Sequence, residues 1–209
     1  MVVKMLYESG ETLYDFSYQR KSTSAVDFIR FEYLSGKGFC GFNNIFLAYD
    51  DDMPVGTIGV YDRKKYERLS KETLSNIFTF FGFIAGIKIL TKSRHISSIL
   101  SAPDIGEVHI SHLSVLPKAR RRGIAEFLIT AQLAEVIKQG YSRCSLVVDE
   151  ASSPAKSLYS KLSFKVTEKM HFLKGDLYER CFEKMTLSLN PELLSAVRVV
   201  LPDKTSSGN

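Results

Sequence analysis

Leu113-Ser114-Val115-Leu116-Pro117-Lys118-Ala119-Arg120-Arg121-Arg122-Gly123-Ile124-Ala125 joins three pieces of local structure. Leu113 and Val115 read as the end of a strand, and Pro117 stops it because proline cannot donate to a ladder. A basic turn follows, and Gly123 then opens a helix. Over residues 123–139 the apolar positions Ile124, Phe127, Leu128, Ala131, Ala134 and Ile137 keep helical spacing, and Gly140 is a good stop. The first N–H groups of such a helix lack partners inside it. Gly123 and Ala125 leave them uncovered, so the helix dipole and three arginines favour a dense anion such as a pyrophosphate. Neither GxxxxGK[ST] nor GxGxxG occurs, which leaves the pattern R-x-x-G-x-A after a strand and V-x-P.

Working outward, residues Glu107–Val115 alternate like a strand, with Val108 and Ile110 on one face and a more mixed set beyond. Residues 144–148 are a short apolar strand. Ser153-Pro154 reads as a helix start with Ser153 as cap. That helix runs through Ala155, Leu158, Tyr159 and Leu162, and strands at 164–167 and 182–189 close the chain. The order strand, helix, strand, helix, strand, strand implies an α/β sheet with a parallel pair.

The first stretch resembles motif A of the GNAT (GCN5-related) N-acetyltransferases, [QR]-x-x-G-x-[GA] after L-x-V-x-P. Ser152-Ser153-Pro154-Ala155-Lys156-Ser157-Leu158-Tyr159-Ser160-Lys161-Leu162-Ser163-Phe164 is similar to the family's motif B, N-x-x-A-x-x-L-Y-x-K-x-G-F. It departs at two positions, with Ser152 in place of Asn and Ser163 in place of Gly. The resemblance implies the GNAT fold, a mixed central sheet with a splayed parallel strand pair and flanking helices. It implies one domain over residues 1–203 with its cofactor-binding core at about 105–165, and a disordered tail at 204–209.

The resemblance also implies transfer of an acetyl group from acetyl-CoA to a primary amine, with no metal. Leu113 and Val115 would offer backbone groups to the pantetheine arm. Arg120, Arg121, Arg122, Gly123, Ile124 and Ala125 would hold the pyrophosphate, and Ser152 would give the arm one hydrogen bond. Tyr159 would bind beside the cofactor and protonate the departing thiolate, since a phenol with pKa ~10 matches a thiolate of similar basicity. Glu107, on the cofactor strand, is the candidate base, with His109, His112 or water as rivals. The implied partner is an amine-bearing small molecule or peptide rather than nucleic acid or membrane, and there is room for a homodimer. The alternative is a catalytically weak CoA-binding regulatory module. A third reading, a basic nucleic-acid or membrane-surface binder, rests only on the net charge and the arginine turn.

Upstream, residues 45–49 and 55–61 read as a hairpin around Asp50-Asp51-Asp52-Met53-Pro54, an exposed turn. Gly56 and Gly59 suggest a bulge or close backbone approach. A charged segment at 62–71 leads into an apolar stretch over 74–90, best read as one helix. Within it Phe78, Phe80, Phe81 and Phe83 are candidates to line an acceptor pocket. Its apolar run, 77–90, has Lys88 inside it and is shorter than the ~20 residues a membrane span needs. Residues 25–34 have helical spacing, while the rest of the first forty are aromatic-rich and hard to parse.

The chain has 209 residues, 44% hydrophobic and 24% charged, which excludes wholesale disorder. A charge of +5 is too mild to mark a dedicated nucleic-acid binder. Cys40, Cys144 and Cys181 are scattered, with no metal spacing, so a reducing compartment is expected. With no leader pattern in the opening residues, the expected localisation is cytoplasmic.

Overall fold

Ile45–Asp50 (β1) and Met53–Asp62 (β2) form the hairpin that the turn chemistry implies, in a computed structural model that describes residues 1–97, 99–173 and 179–192. Four further strands follow: Glu107–Val115 (β3), Arg143–Asp149 (β4), Lys165–Leu173 (β5) and Glu179–Ser188 (β6). They build one six-stranded sheet in the order β1-β2-β3-β4-β6-β5. Only β3 and β4 run parallel, and all other neighbours are antiparallel.

The helix Ile124–Lys138 (α6) makes the crossover between β3 and β4. Its inner face, with Ile124, Leu128, Ile129 and Leu133, packs on Val108 and Ile110 of β3 and Leu146 of β4 in the main core. Gly56 is small for a reason, because a Cβ there would lie 2.9 Å from Leu128 Cδ1. Ser153–Lys161 (α7) buries Tyr159 in the same core.

Three helices occupy the first forty residues: Val2–Glu8 (α1), Glu11–Tyr18 (α2) and Ala25–Ser35 (α3). Met5 and Leu6 are buried, so the opening apolar residues are core. A reciprocal capping box between Ser24 and Asp27 starts α3.

The structure corrects three expectations. The charged segment is already helical: Arg63–Phe81 (α4) starts at Asp62, whose side chain accepts from the Lys65 N–H at 2.8 Å. The apolar stretch is not one helix, because Gly82 takes φ +76° and the chain restarts as Phe83–Ser93 (α5). The two pack closely, since a Cβ on Gly86 would sit 2.6 Å from the Phe78 ring. At α7 the cap position is Ser152 rather than Ser153, without a side-chain capping bond. The tail at 204–209 and the domain boundary at 203 lie outside the described residues.

Candidate active site

The parallel pair is short. β3 and β4 are in register only over residues 107–110 and 143–146. Beyond that, residues 111–115 stay paired with β2 and residues 147–149 with β6, so the two strands separate into a fork. A bulge drives the separation: Thr57 pairs with Ser114 and Gly59 with Ser111, so Ile58 faces two residues of β3. His112 sits in the bulge at φ +53°, and the Thr57 hydroxyl fixes it by donating to the His112 carbonyl at 2.7 Å. Leu113 and Val115 therefore lie on the stretch of β3 that has left β4.

At the end of that stretch the chain turns into α6. Arg121 and Gly123 both have positive φ, +65° and +78°. Alternating backbone hands of this kind gather N–H groups into an anion-binding concavity. The first bond closing on the Gly123 carbonyl comes from Phe127, which leaves Ile124, Ala125 and Glu126 N–H groups without helical partners. A Cβ on Gly123 would meet nothing within 4 Å, so the space over the helix start is open.

The three arginines are not equivalent. Arg120 turns back, its Nε donating to the Val115 carbonyl at 3.0 Å and its guanidinium 3.8 Å from Glu8. Arg122 forms a 2.8 Å ion pair with Asp50 in the β1–β2 turn. Arg121 alone is exposed with no partner among the described residues. Asp50 read as plain turn chemistry in the sequence. The signal that could have found it is its place at the tip of the hairpin beside β3, the strand that leads into the arginine turn.

Ser152 is half-buried, and its hydroxyl makes no bond among the described residues. Tyr159 is buried with its ring edge-on to Phe164, and its hydroxyl likewise has no partner among the described residues. Burial pushes its pKa up to about 12, so it stays protonated at neutral pH. Ser163, where motif B of the resemblance has Gly, takes a left-handed turn at φ +67°, a strain of about 1 kcal/mol for a residue with a Cβ. The turn holds, since Phe164 N–H reaches the Tyr159 carbonyl at 3.0 Å.

Glu107 stands at the closed end of the parallel pair, away from the fork. It is 1% exposed, with Arg143 Nε at 2.8 Å, Lys184 Nζ at 3.1 Å and the Ser145 hydroxyl donating at 2.6 Å. Ser145 spends its proton on Glu107, so His109 Nδ1, 3.0 Å away, must donate to Ser145. Burial, then the charges of Lys184 and His112, lower the His109 pKa to about 3. Glu107 and His109 form one buried network below the fork.

His112 is the rival that reaches the fork. Its Nδ1 is 2.7 Å from Ser111 Oγ and its Nε2 3.6 Å from Cys40 Sγ, with Tyr14 stacked at 6.4 Å. Burial lowers its pKa to about 4, and burial raises the Cys40 thiol far above its usual value, so both are neutral. Sequence reasoning missed Tyr14 and the rest of α2. Leu13 and Phe16 pack with Val147, on the diverging part of β4, against Ile96, Ile99, Met170 and Phe182. The phenylalanines do not line the fork: Phe80 and Phe81 pack with Tyr18, Phe28, Ile77 and Ile89 in a separate cluster, and Phe78 and Phe83 stack on each other.

His109 makes the fold acid-sensitive. A histidine buried neutral contributes stability in full above its unfolded pKa of 6.5, and loses it as pH falls towards 3. At pH 5 the loss is roughly 2 kcal/mol. Urea unfolding at pH 7 and pH 5 measures it, and His109→Gln is expected to narrow the gap by that amount. An equal gap in the variant would remove His109 as the cause.

Residues 84–173 match the model of the FR47-like protein family. No curated protein matches the sequence. Among solved structures, an acetyltransferase shares 15% identity, with 90% of this chain and 95% of that chain covered at a TM-score of 0.62. An N-acetyltransferase from Staphylococcus aureus Mu50 also shares 15% identity, covering 90% of this chain and 93% of that one at a TM-score of 0.51. No helix among the described residues is long and apolar enough to cross a membrane. Residues 84–173 are thus similar to the FR47-like family, and the mixed sheet with the forked β3–β4 pair shares its fold with these acetyltransferase structures.

Proposed function

We propose that the chain is an N-acetyltransferase that moves an acetyl group from acetyl-CoA to a primary amine on a small molecule or peptide by direct attack. The observation that carries this reading is the fork between β3 and β4, with the open α6 N-terminus at the end of the β3 arm. The unpaired N–H groups of residues 124–126 and the side chain of Arg121 suit a diphosphate, and Arg122 joins them by leaving Asp50. The freed edge around Leu113 and Val115 suits a pantetheine amide arm, which would add to β3 like a strand. Arg120 holds that edge through the Val115 carbonyl. Ser152 gives the arm a hydroxyl.

A backbone N–H near Val115 would polarise the thioester carbonyl and stabilise the oxyanion formed on attack. Tyr159, kept protonated by burial, would give its proton to the departing thiolate. Of the three candidate residues only His112 lies on the diverging part of β3; burial keeps it neutral and makes it a weak base, so it would take the proton from the cationic adduct formed when the neutral amine attacks, not from a free ammonium. Glu107 and His109 serve the fold below it.

Calorimetry with acetyl-CoA and a thiol-release screen across amines test the reading. Tyr159→Phe is expected to bind acetyl-CoA as the parent does and to turn over about a hundredfold more slowly. Unchanged turnover would dismiss Tyr159 as the acid. Binding without turnover on any amine would favour the CoA-binding regulatory module. No binding up to about millimolar acetyl-CoA would sink both.

A further inference from the structure

The corner between α4 and α5 exposes apolar side chains that the sheet never uses. Phe83 is 71% exposed, Ile84 74% and Ile87 44%, while Gly86 and Ile89 of the same helix face inward. Phe78 lies beneath Phe83, with ring centroids 5.7 Å apart, and backs the exposed ring. Isolated exposed apolar residues are ordinary, but a contiguous set on one helix end marks a contact surface.

The segment that forms this corner carries charge of one sign. Between Glu72 and Asp104 the sequence holds no acidic residue, yet it holds Lys88, Lys92 and Arg94. Lys88 and Lys92 lie on the exposed side of α5, and Arg94 is exposed just past its end. Lys92 Nζ lies 5.4 Å from the Phe16 ring centroid, a position that keeps the cation at this surface.

We propose that the α4–α5 corner docks on an anionic lipid bilayer. Phe83, Ile84 and Ile87 enter the headgroup layer, and Lys88, Lys92 and Arg94 face the phosphates. A short helix with bulky apolar residues beside cations, and no acid of its own, suits interfacial binding. At 11 residues α5 lies on the surface and does not cross it. A second copy is the poorer occupant, because a two-fold contact would bring the same cations face to face. The proposal stands apart from the transfer reaction and does not depend on it.

Sedimentation of the full chain with vesicles tests it, comparing phosphatidylcholine alone with the same lipid containing about one-third phosphatidylglycerol. Binding to the anionic vesicles is expected to be at least about tenfold stronger. The double variant Phe83→Ser, Ile84→Ser should lose it with an unchanged melting temperature, since both side chains are already in solvent. Lys88→Glu should weaken it, and Arg121→Ser, in the other basic segment, should keep it. Failure of the parent to bind anionic vesicles would overturn the proposal. So would equal binding by the double variant, or loss only in Arg121→Ser. A dimer in sedimentation equilibrium that the double variant dissolves, with no vesicle binding, would assign the corner to a second copy instead.

Discussion

Replacing Glu107 by Ala lowers the unfolding free energy by about 3 kcal/mol, the scale of removing one partner from a buried ion pair. Arg143 and Lys184 would be left without their shared counter-charge, and Ser145 without its acceptor. Arg143 is 44% exposed and can turn to water, which holds the loss to the lower end of the range. Glu107→Gln should lose somewhat less, because the amide oxygen still accepts from Ser145. Urea denaturation of the three proteins measures this, with acetyl-CoA affinity of the folded protein as the companion reading. An unfolding free energy lowered by under about 0.5 kcal/mol, with turnover abolished, would return Glu107 to the role of base that the family resemblance implies.

Gly123→Glu is expected to weaken acetyl-CoA binding by at least about a hundredfold. Three effects add there. At φ +78° any side chain is strained, by about 1 kcal/mol. The new side chain enters the open space over the start of α6. Its carboxylate then occupies the position a diphosphate needs, satisfying the same N–H groups and repelling the ligand's charge. Gly123→Ala separates these effects, since it brings the strain without the charge and should keep most of the affinity. Calorimetry decides, and comparable affinities for the Glu variant and the parent would place the anion elsewhere.

Much of the fold was legible because the sheet elements follow local rules. β3 and α6 match their periodicity and stop signals within a residue, and the hairpin follows from its turn. The mixed alternation at the end of β3 also had a physical meaning. Val108 and Ile110 share the core with Val115, an odd step that only an inserted residue permits, and the bulge at His112 supplies it. No local pattern announces such a bulge, since it depends on the partner strand. The α4–α5 break was signalled by Gly82 but masked by the apolar run around it.

The candidate site's geometry was legible where backbone chemistry made it. Gly123 and the helix start stand where R-x-x-G-x-A puts them, beside the fork. Side-chain partnerships were not legible, because they join residues far apart in sequence. Arg122 meets Asp50, Arg120 meets Glu8, and Glu107 meets Lys184 only once the sheet is built. Outside the helical spacing at 25–34, the aromatic first forty residues gave no period because α1 and α2 are short helices whose apolar residues face several neighbours.

The Asp50–Arg122 pair changes what arrival of a polyanion means here. On the proposed reading, ligand entry at this arginine would be an exchange of one carboxylate for another anion, not the capture of an idle cation. The hairpin tip thus behaves as a built-in competitor whose local concentration never falls, whatever the solvent holds. Added salt loosens the resident pair as well as the incoming one, so the two screening effects partly cancel. Affinity would then report the difference between two anions, and a bystander with a single carboxylate would gain little by displacing one of its own kind.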